Sequence, residues 1–313
     1  MDKDRAKGML WGLIVGDALG SPIQFTGKDS HPHITEMVPC PVFGLPAGYW
    51  TDDGSMAMCV MDSYVRKGGY DLKDIADTFV RWFLKGYLSS VDGHSFDVGH
   101  ATAVAMMDIR RGKLRNGTED SQGNGSIMRF APSFLIAIAE GRPKIMHEVS
   151  DLTHDSARVR EVVDRLGRVL DEHSAGLRTM AVSKYETREE VDNSGWAVST
   201  LEAALWAFNT TETFEDGMIA AVNLGGDSDT IGAVYGQIAG AYYGFGAIPE
   251  RWVTAVKDFK RVGKLVDDFV EAAWTGKWPD SNFSAPTNPP ASFDIIQKIC
   301  FFTDRASCGR GFF

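Results

Sequence analysis

Two short segments carry oxygen-bearing side chains at a density that could hold a hard cation. The first, YWTDDGSMAMCVMDSYV (49–65), contains Thr51, Asp52 and Asp53. The second, NLGGDSDTIGAVYG (223–236), contains Asp227, Asp229 and Thr230. In the first, Met56, Val60, Met61, Tyr64 and Val65 recur at helical spacing, which puts Thr51, Asp52 and Asp53 at the N-cap and first turn. Plain capping explains such residues: each satisfies a free N–H or complements the helix dipole, for about 1 kcal/mol. One aspartate suffices to cap, however, and T-D-D and D-S-D-T each supply two carboxylates and a hydroxyl. Four carboxylates brought together repel unless cations lie among them. Oxygen ligands without cysteine or histidine fit Mg²⁺ or Mn²⁺ better than zinc. Spacing does not say whether the two segments meet.

A third segment, SQGNGSIMRFAPSFLIAIA (121–139), places Gly123, Asn124, Gly125 and Ser126 ahead of an apolar run. It reads as a turn before a helix, and equally as a set of backbone N–H groups able to hold phosphate. Glycine is abundant, 33 of 313 residues, above the usual share of about 7%. Gly225 and Gly226 lie just before the second acidic segment, where backbone can approach a ligand. Gly232, Gly236, Gly240 and Gly244 recur every four residues and form a helical stripe for close packing of another backbone.

The elements that must position these residues are helical. Leu72, Ile75, Ala76, Phe79, Val80, Phe83, Leu84 and Tyr87 predict an amphipathic helix over 72–88. Val159 to Leu170 and Val266 to Ala273 repeat the pattern, and sustained strand alternation is missing. The expected fold is all-α, a multi-helix bundle with loops at 27–50 and 186–195. The Pro/Ser/Asn-rich stretch 279–292 reads as a linker, which divides the chain into a domain at 1–279 and a tail at 280–313. The 32 basic and 42 acidic side chains give a net charge of −10, against binding to nucleic-acid backbones or anionic membranes. Four scattered cysteines make a disulfide framework or a cysteine-built zinc site improbable. With no secretory signal and no apolar run of about 18 residues, a cytoplasmic protein is expected.

Taken in order, the motifs resemble the ADP-ribosylglycohydrolase family, which includes the hydrolase that reactivates dinitrogenase reductase. The likeness runs through GLIVGDALGSPIQF (12–25), TDDGSMAM (51–58), FDVGHAT (96–102), GNGSIMRFAP (123–132), DLTHDS (151–156), SGWAVSTLEAALWAF (194–208), NLGGDSDTIGAVYGQIAGAYYG (223–244) and IPERW (248–252). It implies an orthogonal all-α bundle with a central two-metal cleft. It also implies metal ligands at Thr51, Asp52, Asp53, Asp227, Asp229 and Thr230, for two divalent cations, Mg²⁺ or Mn²⁺. Gly123, Asn124, Gly125 and Ser126 would hold the diphosphate, and His154 would contact phosphate or ribose. Asp97 would lie near the scissile end, while Asp17 looks structural.

Three positions depart from the family pattern. Gln24 stands where a glutamate is frequent, Gly54 where threonine or serine is common, and His100, within the expected substrate pocket, where asparagine is common. The implied activity is metal-dependent removal of ADP-ribose from a protein side chain, arginine first, with Asp52 or Asp53 as general base and Asp97 meeting the leaving group. Two alternatives stay open: a non-catalytic, crystallin-like relative, and a hydrolase of a free ADP-ribose derivative.

Overall fold

In the computed structural model, which describes residues 1–178 and 182–276, glycine forms the centre of the fold. The stripe expected at Gly232, Gly236, Gly240 and Gly244 has a counterpart on the first helix, where Gly8, Gly12, Gly16 and Gly20 keep the same period. The two stripes pack backbone to backbone. A Cβ on Gly232 would lie 2.6 Å from the carbonyl oxygen of Gly16, and one on Gly8 would lie 2.5 Å from that of Gly240. Helix α1 (Lys3–Gly20) is buried without interruption from Gly8 to its end, so it is a central strut rather than an amphipathic surface helix.

Around it run α2 (Asp52–Lys67), α3 (Leu72–Lys85), α4 (His100–Ile109), α5 (Phe130–Ala139), α6 (Ile145–Ser150) and α7 (Ala157–Ser174). Then follow α8 (Ala197–Asn209), α9 (Phe214–Val222), α10 (Ser228–Tyr243), α11 (Glu250–Ala255) and α12 (Phe259–Thr275). Helix α10 packs on α1, α7, α8 and α9, while α2 packs on α3 and α12. The architecture is the expected all-α bundle. Among the described residues there is no strand, only isolated bridges between Cys40 and Leu45 and between Gly123 and Trp196.

Helix ends follow local chemistry. Asp71, Ser156 and Thr213 cap α3, α7 and α9 by accepting from the backbone N–H three residues on. The helix expected over 72–88 stops at Lys85 because Gly86 turns left-handed, φ 63°. The segments 27–50 and 186–195 are loops, as expected. No described helix is long and apolar enough to cross a membrane. Cys40 and Cys59 are buried free thiols. The expected linker and tail, 280–313, lie outside the described residues.

Candidate active site

The helix starts that carry the acidic segments do not use those side chains as caps. Thr51 is the N-cap residue of α2 and Asp227 that of α10, and neither side chain bonds to its own helix's free N–H groups. Of the acids, only Asp229 satisfies a first-turn N–H, that of Thr230 at 2.9 Å, so capping accounts for them in part at most. Thr51 turns its hydroxyl to Asp17 Oδ1 at 2.9 Å and to Asp53 Oδ2 at 3.3 Å. Asp17, near the end of α1, also accepts the backbone N–H of Thr51 at 2.9 Å and that of Gly54 at 2.8 Å. A carboxylate on the central strut thus braces the first turn of α2. Gly54 suits this contact: a Cβ there would lie 3.0 Å from the Trp50 ring and 3.1 Å from Asp17 Oδ2.

The two acidic segments meet. Each of Asp17, Asp53 and Asp229 offers a carboxylate oxygen within 4.8 Å of the others, and all three are buried. The glycine interlock makes this possible, because it sets the end of α1 beside the start of α10. A Cβ on Gly20 would overlap the Ser228 backbone. Burial is the largest influence on every carboxyl of the group, and like charge adds to it. Asp17 is raised to about 7 by burial, opposed by its three donors. Asp52 is pushed well up by burial and then by Asp53 and Asp97, and Asp53 by burial and then by Asp17 and Asp227. Asp229 rises by burial and then by Asp227 and Asp97. Asp53 Oδ1 is buried with no hydrogen-bond partner. An orphaned carboxylate oxygen among converging acids is what a hard divalent cation would satisfy, so this donor set fits Mg²⁺ or Mn²⁺.

The glycine turn lies against the same centre. Asn124 Nδ2 donates to Asp227 Oδ2 at 2.6 Å and to Thr200 Oγ1 at 2.9 Å, tying the turn to the second acidic segment and to α8. Helix α5 begins only at Phe130, so 123–129 is a longer turn than the sequence suggests. Ser126 Oγ is buried without a partner. His154 lies over the turn: a Cβ on Gly125 would be 2.6 Å from its Cε1, and one on Gly123 would be 3.6 Å from its Nε2. Burial and then the neighbouring Arg129 lower the His154 pKa to about 3, leaving a neutral ring.

Asp97 stands on the cleft side of the loop before α4, in the left-handed region at φ 56°. Its charge is felt by Asp17, Asp52, Asp53 and Asp229. Gln24 Nε2 donates to Asp97 Oδ2 at 2.8 Å, and Gln24 is buried. His100 opens α4 in an exposed position and makes no hydrogen bond to the acidic group. The sequence did not show that Asp17 joins the acidic group, nor that Arg129 and Thr153 stand behind His154. The second glycine stripe was the available signal for Asp17, since it ends three residues beyond that aspartate.

Comparisons with known proteins agree with this geometry. The ADP-ribosylglycohydrolase family pattern matches residues 1–278. A protein named ADP-ribosylarginine hydrolase Tri1, from Pseudomonas putida (strain GB-1), is 35% identical over 86% of this chain and 79% of its own. Its namesake from Serratia proteamaculans (strain 568) is 32% identical, covering 84% and 78%. The ADP-ribosyl-[dinitrogen reductase] glycohydrolase of Rhodospirillum rubrum is 30% identical, covering 86% and 97%. A solved ADP-ribosylglycohydrolase-related protein complex superposes with a TM-score of 0.74 at 34% identity, over 87% of this chain and 98% of the other. With fold, motifs and relatives in agreement, the chain belongs to the ADP-ribosylglycohydrolase family.

Proposed function

We propose that this protein is a metal-dependent ADP-ribosylhydrolase that removes ADP-ribose from modified arginine side chains. The observation that carries the reading is the convergence of Asp17, Asp53 and Asp229 within 4.8 Å, with Asp53 Oδ1 buried and unpartnered. Thr51, Asp52, Asp53, Asp227, Asp229 and Thr230 would hold two divalent cations, Mg²⁺ or Mn²⁺. Cations in that place supply Lewis acidity, a polarised water and a template for the ribose hydroxyls. The names of the bacterial relatives support arginine as the acceptor.

The chain's own residues divide the remaining work. The turn of Gly123, Asn124, Gly125 and Ser126 binds the diphosphate through its N–H groups and the free Ser126 hydroxyl. His154 donates to a phosphate or ribose oxygen, and exposed His100 lines the acceptor side. Asp52 or Asp53 takes the proton of the attacking water as its oxygen bonds to the anomeric carbon. The bond from that carbon to the guanidine nitrogen breaks; the nitrogen takes up a proton from solvent, and the base returns the proton it took to solvent. Asp97, held by Gln24, lies on that side to meet the leaving group. We assign the activity to one domain, 1–279, in a cytoplasmic protein, with 280–313 as linker and tail.

The test compares ADP-ribose release from arginine-linked, serine-linked and free substrates, with and without Mn²⁺. Arginine-linked release that stops in excess chelator is expected, as is at least a hundredfold loss in Asp227→Asn and Asp229→Asn with helicity kept. Full activity in chelator, or near wild-type rates in both variants, rejects the reading. Binding of ADP-ribose without release from any substrate would mark a non-catalytic relative.

A further inference from the structure

We propose that Arg129 and Thr153 form a relay that fixes the His154 ring with its Nε2–H as a donor, aimed at the Gly123–Gly125 turn for a phosphate oxygen. The proposal rests on the diphosphate reading of that turn. Arg129 is buried, 1% exposed, at a depth where arginine is rare. One arm of its guanidinium bonds the Gly125 carbonyl of the turn itself. Another, Nη2, donates to Thr153 Oγ1 at 2.6 Å. The Thr153 oxygen lies 2.7 Å from His154 Nδ1.

Donor and acceptor counts then fix the proton positions. Arginine has only donors, so Thr153 Oγ1 accepts from it. Thr153 is fully buried, and among the described residues its hydroxyl has no hydrogen-bond partner besides Arg129 and His154. Its single proton therefore has one acceptor in reach, the Nδ1 lone pair. An Nδ1–H would leave the hydroxyl proton buried and unbonded, an arrangement proteins avoid. With Nδ1 accepting, the ring proton sits on Nε2. That nitrogen lies over the turn, 2.9 Å from where a Gly125 Cβ would stand and 3.6 Å from that of Gly123. Glycine at both places lets the ring pack against the turn backbone, where a side chain at 125 would collide with it.

The charge at this point is equally determined. An imidazolium would face a buried guanidinium, and burial with that neighbour keeps the ring neutral. Arg129 itself, lowered to about 10 by burial, stays cationic at neutral pH. The ring is thus a neutral donor of fixed orientation, with the positive charge one residue behind it. Thr153 and Arg129 are positioning residues, acting on the ligand through His154 and through the Gly125 carbonyl.

The test uses ¹⁵N-histidine-labelled protein and long-range proton–nitrogen NMR, with ADP-ribose affinity measured calorimetrically in Mg²⁺. His154 is expected to show a protonated Nε2 and a hydrogen-bonded, unprotonated Nδ1 from pH 5 to 8. Thr153→Val should move the Nδ1 resonance downfield, as a bare lone pair does, and weaken ADP-ribose binding about 3- to 10-fold with kcat within threefold. Thr153→Ser keeps the hydroxyl and should restore both, also serving if the valine variant folds poorly. A protonated Nδ1 in the wild type, or wild-type affinity in Thr153→Val, overturns the relay. A wild-type protein that shows the expected tautomer and binds no ADP-ribose overturns the diphosphate reading instead, and leaves the relay standing on the NMR alone.

Discussion

Asp53→Asn should make the chelated protein more stable while abolishing turnover. Asp53 stands in a group whose carboxylate oxygens lie within 4.8 Å of one another. Two full charges at that distance repel by about 3.5 kcal/mol at an effective dielectric of about 20. Partial protonation relieves some of this, so neutralising Asp53 should recover about 1–2 kcal/mol near pH 8. The sign follows from the raised pKa. The folded state holds the Asp53 proton more tightly than the unfolded chain, so metal-free stability falls as pH rises from about 4 through the folded value. Asparagine removes that fall, and its side-chain oxygen still accepts from Thr51. Calorimetric melting in excess chelator should show a Tm rise of about 2–4 °C at pH 8, shrinking to almost none below about pH 4. Mn²⁺ should raise the wild-type Tm, since saturation at a hundred times Kd contributes about 2.7 kcal/mol, and should leave Asp53→Asn nearly unmoved. A lowered Tm for the variant at pH 8 in chelator, or equal Mn²⁺ stabilisation of both proteins, would refute the reasoning.

Gly236→Ala should destabilise by about 3 kcal/mol or more, because its Cβ would overlap the Gly12 carbonyl, and backbone cannot yield as a side chain can. Gly246→Ala, with nothing within 4 Å, should stay within about 0.5 kcal/mol, and equal denaturation midpoints for the two would reject the interlock. Gln24→Met removes the donor to Asp97 and should lower kcat about 10- to 100-fold with KM within threefold. In an Asp97→Asn background the same change should cost almost nothing, and additive losses would show that Gln24 acts by another route.

The all-α class and the strongly periodic helices α2, α3, α7 and α12 were legible in the sequence, while ends such as Lys85 and Phe130 depend on local turns. The acidic segments were legible as candidates, since each carried more carboxylate than a cap requires. Their meeting was not, because it depends on register between two helices far apart in the chain. Half of that register was visible in the stripe at Gly232 to Gly244. The other half, Gly8 to Gly20, keeps the same four-residue period in a helix with no amphipathic pattern to announce it. Arg129 carried no signal of its own in the sequence; its burial and its bond to Thr153 single it out.

The interlocked glycine helices also impose an order of events on a growing chain. Helix α1 is made first, carries an apolar surface on every side, and finds its main partner only when α10 emerges. At about 5–20 residues per second, the stretch from Gly20 to Tyr243 takes about 10 to 45 s to synthesise. Throughout that interval the stretch of α1 from Gly8 to Gly20, buried in the finished fold, lacks the helix that covers most of it. A cation held between Asp53 and Asp229 would then be captured late, after the two ends have closed. A ribosome-bound fragment ending before α10 should accordingly be a ligand for chaperones rather than for Mn²⁺.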